Sequence, residues 1–249
     1  MIQISGFPFQ LNEKWQLGNI EKTIIHHMQK APVFYSYYSI AELLFELKVR
    51  KNIIKSAKEM YQSKALFRSF NNASCNPTYW HLTTAGGFLL KPGVKPSDAI
   101  LDIYRNSSLY AFECATACVI IYYRAVLYSI GTQLFNSLFQ NLYLYSWHTD
   151  SNLVLYTFYS YHFLPGDVVY FNNPDFHPKT PWFRGVNAVL LNDDRFFGHG
   201  FSIRTAEQMI QILNEKRKPG SHQSAYLTNL VTRLSLNHFV RLVSLERLP

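Results

Sequence analysis

Apolar residues recur at helical spacing between Ser39 and Met60, where Leu43, Leu44, Leu47, Ile53 and Ile54 share one face. Ser39 followed by Glu42 is a capping pair, so the pattern predicts a helix starting there. Residues 65–90 hold short strand-like pieces around Tyr79, Trp80, His81 and Leu82, with a turn at Gly86-Gly87. Pro96-Ser97-Asp98 opens a second helix that runs to about Asn106. A nearly all-apolar segment, roughly 112–130, predicts a helix that stops before Gly131 and is buried on most sides. Strand-like runs follow in NLVLYTFYSYHFL, GDVVYF, GVNAVLL and RFFGHGFSI. Thr205 and Gln208 cap a further helix extending to Pro219-Gly220, and QSAYLTNLVTRL reads as a last helical segment. Helices, then strands, then helices predict an α+β fold: a mainly antiparallel sheet packed on the central helix, with additional helices around it. No repeat, low-complexity tract or long linker divides the chain, so residues 1–249 are read as a single domain.

Composition narrows the class without naming the chemistry. Hydrophobic content of 48% and charged content of 16% belong to a folded globular chain. The net charge of +8 draws acidic partners. The basic residues are scattered, however, apart from KVRKNIIKSAK and NEKRKPG, and no zinc-finger or ribonucleoprotein spacing accompanies them, so nucleic acid is not the expected partner. The most apolar region, Ala115 to Tyr123, is bounded by Glu113 and Arg124 and falls short of the roughly 18 residues of a membrane span, so the chain reads as soluble.

Three cysteines leave an odd thiol under any disulfide scheme, and the absence of a signal-like start favours a reducing compartment. Cys114, in YAFECATACVIIYY, has three readings: a buried small hydrophobe, half of a metal site with Cys118, or a nucleophile. No matching CxxC or HxxxH stands elsewhere, which weighs against zinc, and no acidic loop suits calcium. In the first turn of a helix, free N–H groups and the dipole draw a thiol pKa down, while Cys118 lies deeper and Cys75 falls in a loop. A cysteine nucleophile needs a base, and His199 stands between glycines in FFGHGF. A cysteine opening a buried helix with a histidine on a downstream strand is a papain-like arrangement.

Several blocks in order, YSIAELLFELKVRKNI, YAFECATA with VIIYY, GDVVYFNNPDF, GHG and QSAYLTNLVTRL, resemble the spore-coat transglutaminases of endospore-forming bacteria. The resemblance covers most of the chain. It implies an NlpC/P60-like cysteine core and a reaction independent of calcium and of any cofactor. It also implies ε-(γ-glutamyl)lysine crosslinks between glutamine- and lysine-bearing spore-coat proteins, made in the mother-cell cytoplasm and then in the coat. Cys114 takes the nucleophile's place, His199 that of its catalytic partner, and Glu113 matches the glutamate before the nucleophile.

The family's acid after Arg-Gly is replaced by Val186. If Leu191 pairs with Phe196, Ala188 faces His199 and Val186 is its same-face diagonal neighbour. Asn187 then points to the other face, and a slip of one residue brings it opposite His199 as an orienting group. The missing acid leaves the activity full, weakened or lost. It also leaves two rival readings, an NlpC/P60-type cysteine amidase or peptidase and a non-catalytic coat structural protein.

Overall fold

The computed structural model describes residues 1–12, 15–192 and 194–245. Strands β1 (Ile2–Ile4) and β2 (Phe7–Pro8), helix α1 (Asn19–Lys30), strand β3 (Tyr35–Tyr37) and helix α2 (Ile40–Gln62) come first. The Ser39 hydroxyl caps α2 by accepting from the Glu42 N–H, and the Glu42 carboxylate accepts in return from the Tyr38 N–H. Next are β4 (Leu66–Phe67), the hairpin β5 (Trp80–Leu82) and β6 (Phe88–Leu90), helix α3 (Pro96–Arg105) and β7 (Ala111–Phe112). The central helix α4 (Cys114–Ile130) ends at Gly131, whose φ of 87° suits a residue without a side chain. Helix α5 (Thr132–Leu138) and strands β8 (Tyr143–Leu144) and β9 (Leu155–Tyr159) lead to β10 (Val168–Asn172), β11 (Gly185–Asn192), β12 (Arg195–Gly198) and β13 (Ser202–Arg204). Helix α6 (Ala206–Asn214), strand β14 (Tyr226–Leu234) and helix α7 (Asn237–Leu245) complete the chain.

Nearly every side chain of α4 is buried, as an all-apolar helix requires. It packs between α2 and the sheet. Its one charge, Arg124, is 5% exposed; it pairs with Glu59 of α2 and stacks over the Tyr104 ring at 3.9 Å.

The main sheet is antiparallel throughout, in the order β13-β12-β11-β10-β14-β9. Residues of β11 alternate between its faces: Val189 and Leu191 join the core around α4, whereas Val186, Ala188 and Leu190 join a second apolar layer with Met209 and Leu213 of α6.

Three expectations are corrected. The QSAYLTNLVTRL segment is not helical; its second part is β14, inserted between β9 and β10. Its Ala, Leu and Gln favour helix, but pairing on both sides and the β-branched Thr228, Val231 and Thr232 decide for strand. Helix α6 stops at Asn214, five residues before Pro219. The β11–β12 register is also one residue off, because an irregularity between Leu190 and Asn192 pairs Leu190 with Phe196 and Ala188 with Gly198. Val186 is therefore not a same-face neighbour of His199.

Candidate active site

Chain direction puts Cys114 at the first position of α4, straight after the short strand β7. Glu113 is the N-cap. Its carboxylate accepts from the N–H groups of Ala115 and Thr116, both at 2.6 Å, and from the Thr116 hydroxyl at 2.7 Å. The Thr116 hydroxyl oxygen accepts in turn from the Ser146 N–H at 2.9 Å, tying the helix mouth to the 145–147 segment.

This cap answers the thiol question against expectation. Burial first, and the neighbouring Glu113 carboxylate second, push the Cys114 thiol up to about 11. The N-terminal donors that would hold a thiolate are already taken by Glu113, so the helix end supplies little positive field to the sulfur. Asn187 acts the other way: its Nδ2 donates to Cys114 Sγ at 3.6 Å, and its backbone N–H also favours the thiolate. Cys118, 3% exposed, lies one turn deeper with a thiol held well above the usual range by burial. Cys75 sits outside the strands and helices, and burial pushes its thiol up to about 11.

A cavity of about 570 Å³ opens over Cys114. Phe67, Phe70, Ser146 and Trp147 line one side, and the sheet lines the other through Thr157, Tyr170, Asn187 and Thr232. Trp182 and Arg184 come from the turn before β11. Gly185 is where that turn meets the sheet; a Cβ there would strike the Tyr170 ring and the Phe171 carbonyl.

His199 is not among the lining residues. It is 5% exposed, with its ring stacked on Phe112 at 4.7 Å and near Phe67 at 6.1 Å. Gly200, at φ 86°, leaves room for the Phe67 ring against it, so the flanking glycines do admit a close neighbour. Burial pushes the imidazole down to about 4, opposed by the backbone at Leu66 and Phe112, and its Nε2 has no hydrogen-bond partner among the described residues.

The structure thus brings Cys114, Glu113 and Asn187 together and leaves His199 outside the cavity lining, stacked on Phe112. Continuing the observed register beyond the end of β12 puts Asn187 at the level of His199. Val186, 0% exposed, lies in the α6 layer with its Cγ2 beside Gly198. Tyr170, Trp147, Trp182 and Arg184 are site residues that sequence reasoning did not single out. Pro181-Trp182 directly before a strand was the available cue. Among the described residues, no three His, Cys, Asp or Glu side chains converge as metal ligands, and no helix is long and apolar enough to cross a membrane.

The chain as a whole has counterparts among known proteins. The family model described as protein-glutamine gamma-glutamyltransferase matches residues 1–243. A protein-glutamine gamma-glutamyltransferase of Halalkalibacterium halodurans is 62% identical over 235 residues, covering 94% of this chain and 83% of that protein. One from Bacillus subtilis is 44% identical over 231 residues, covering 93% and 94%. The solved transglutaminase from Geobacillus stearothermophilus superposes with a TM-score of 0.79 at 46% identity, covering 82% of this chain and 97% of that one. On these matches and on its α+β architecture, the chain belongs to the protein-glutamine gamma-glutamyltransferase family, the transglutaminases.

Proposed function

We propose that this chain crosslinks proteins through a Cys114 thioester, with spore-coat proteins as substrates and without calcium or a cofactor. The observation that carries this reading is the Cys114 thiol in the wall of the cavity, with Asn187 donating to its sulfur. Cys114 Sγ attacks the side-chain carbonyl carbon of a substrate glutamine. The carbon–nitrogen bond breaks, and ammonia leaves with the thiol proton. A lysine Nζ then attacks the thioester, the carbon–sulfur bond breaks and the proton returns to sulfur. The products are an ε-(γ-glutamyl)lysine bond, ammonia and the original thiol.

Because the resting thiol is protonated at neutral pH, a base must take its proton as the sulfur attacks. We assign that step to Glu113, whose carboxylate adjoins the sulfur. Asn187 steadies the thiolate. His199, neutral near pH 7, is the second acceptor, engaged once substrate fills the cavity and the catalytic hydrogen bonds tighten. We further propose that residues 1–249 form one catalytic domain with an NlpC/P60-like core, working in the mother cell and then in the coat.

The test is incubation with a glutamine-bearing protein and a labelled primary amine, with ammonia measured in parallel. Amine incorporation that survives EDTA supports the proposal. Ammonia without incorporation marks an amidase or peptidase, and neither product marks a structural protein. Activity lost on chelation and regained with calcium would overturn the metal-free part.

A further inference from the structure

Among the described residues, two charged side chains line the cavity, Glu113 and Arg184. Glu113 already accepts three hydrogen bonds as the cap of α4, but Arg184 is uncommitted. Its side chain is exposed, and among the described residues its guanidinium has no carboxylate partner. Surface arginines are commonly solvated and idle. This one differs because its backbone is fixed on both sides at the cavity rim.

The Arg184 carbonyl accepts from the Asn173 N–H at 2.9 Å and from the Tyr170 hydroxyl at 3.4 Å, while the Arg184 N–H donates to the Pro181 carbonyl at 3.2 Å. Asn173 is itself anchored, its Nδ2 donating to the carbonyls of Phe183 and Leu213. The turn therefore fixes the backbone of an exposed lining residue whose guanidinium has no carboxylate partner among the described residues. Tyr170, Arg184 and Cys114 line the same cavity, and the Tyr170 hydroxyl that donates to the Arg184 carbonyl also feels the Arg184 charge and the Cys114 sulfur.

We infer that Arg184 is a specificity-determining residue, selecting glutamine donors that carry an acidic side chain beside the reactive glutamine. A glutamine side chain reaching Cys114 leaves its flanking residues at the rim, where a carboxylate meets the unpaired guanidinium. The contact is exposed, so the expected preference is modest, about 2- to 5-fold in KM, and salt screens it. This inference rests on the acyl-transfer reading above.

The experiment uses two single-glutamine peptides that differ only in a neighbouring Glu or Asn, each with labelled cadaverine. The amine is common to both, so its own charge cancels in the ratio. The intact protein should favour the acidic peptide through KM, and about 0.5 M salt should shrink the ratio. Arg184→Gln should bring the ratio to one, Arg184→Lys should restore part of it, and Arg184→Glu should reverse the preference toward a third peptide flanked by Arg. An unchanged ratio in Arg184→Gln and Arg184→Glu would overturn the inference while leaving acyl transfer intact. Absence of incorporation with every peptide would overturn the acyl-transfer reading, and this inference with it.

Discussion

Two buried polar centres in this fold differ in how far their groups are satisfied. Asp167, 0% exposed, accepts from Arg50 Nη1 at 2.9 Å, from Arg233 Nε and Nη2 at 2.7 Å each, and from the Leu164 N–H at 2.8 Å. Burial alone would raise its carboxyl; the Arg50 charge and the Arg233 bonds overcome that and hold it below the usual range. At Cys114 the balance runs the other way. The thiol is pushed up, Asn187 donates to the sulfur at 3.6 Å, and His199 Nε2 has no partner among the described residues. The first centre spends its electrostatics on holding strands β10 and β14 to helix α2. The second leaves the Cys114 thiol under-satisfied in the wall of an open cavity, where a bound molecule would meet it.

The sharpest way to break this contrast is to remove one member of each centre. Cys114→Ala should drop amine incorporation to the uncatalysed background with an unchanged melting temperature, since a half-buried thiol supports little packing. Asp167→Ala should do the reverse. Two guanidinium groups would lose their anion, costing about 3–5 kcal/mol in denaturant melts, while activity per folded molecule persists. Loss of activity in folded Asp167→Ala matching that of Cys114→Ala would dissolve the distinction.

Much of the architecture was legible in sequence because local signals agreed with tertiary ones. The capping pairs Ser39/Glu42 and Thr205/Gln208, the apolar run of α4 and its stop at Gly131 all sit where the pattern puts them. Strand β14 was not legible, because its identity depends on two partner strands distant in sequence. The site divided in the same way. Glu113-Cys114 at a helix mouth is a local fact, whereas the direction of the thiol's shift depends on what caps that helix and what covers it. The register of β11 hung on one irregularity at Leu191, and that residue's worth of slip exchanges Val186 and Asn187 between faces.

That exchange yields the next prediction. Val186→Glu would carry a carboxyl into the layer of Phe171, Met209 and Gly198, and should lower stability by roughly 3–4 kcal/mol with no gain through His199. A wild-type melting temperature with several-fold faster incorporation would show the carboxylate reaching Cys114 directly, whose side chain borders that layer.

His199 offers a pH handle on the same region. Its folded pKa near 4 lies below the ordinary 6.5, so the unfolded chain takes up a proton that the folded chain refuses. Stability from the neutral ring is complete above pH 6.5 and is lost as pH falls to 4, by about 3 kcal/mol. Across that window wild type should lose stability relative to His199→Phe as pH falls, as melting curves of the two would read. The other groups shifted downward, His162, Asp167 and Asp175, are common to both proteins and cancel. A constant gap would mean the imidazole already holds its proton when folded.

The smallest effect belongs to Asn187. Its side-chain amide favours the thiolate, but its backbone N–H does so too and survives mutation. Asn187→Ala therefore removes one of two donors, and a hydrogen bond to a charged group contributes about 1.5–3 kcal/mol when close and well aligned. At 3.6 Å to sulfur the lower end applies, or about a tenfold fall in thiolate at a given pH. Iodoacetamide alkylation of Cys114, followed from pH 7 to 10, reads this directly. The rate should climb about tenfold per pH unit in wild type, because the thiol titrates near 11, and the variant's curve should be displaced to higher pH. Asn187→Asp, placing a second carboxylate against the sulfur beside Glu113, should displace it further. If Asn187→Ala alkylates as fast as wild type while losing amine incorporation, the amide acts on the substrate carbonyl instead of the resting thiol. The contrast between the two centres would then turn on substrate charge that develops only during the reaction.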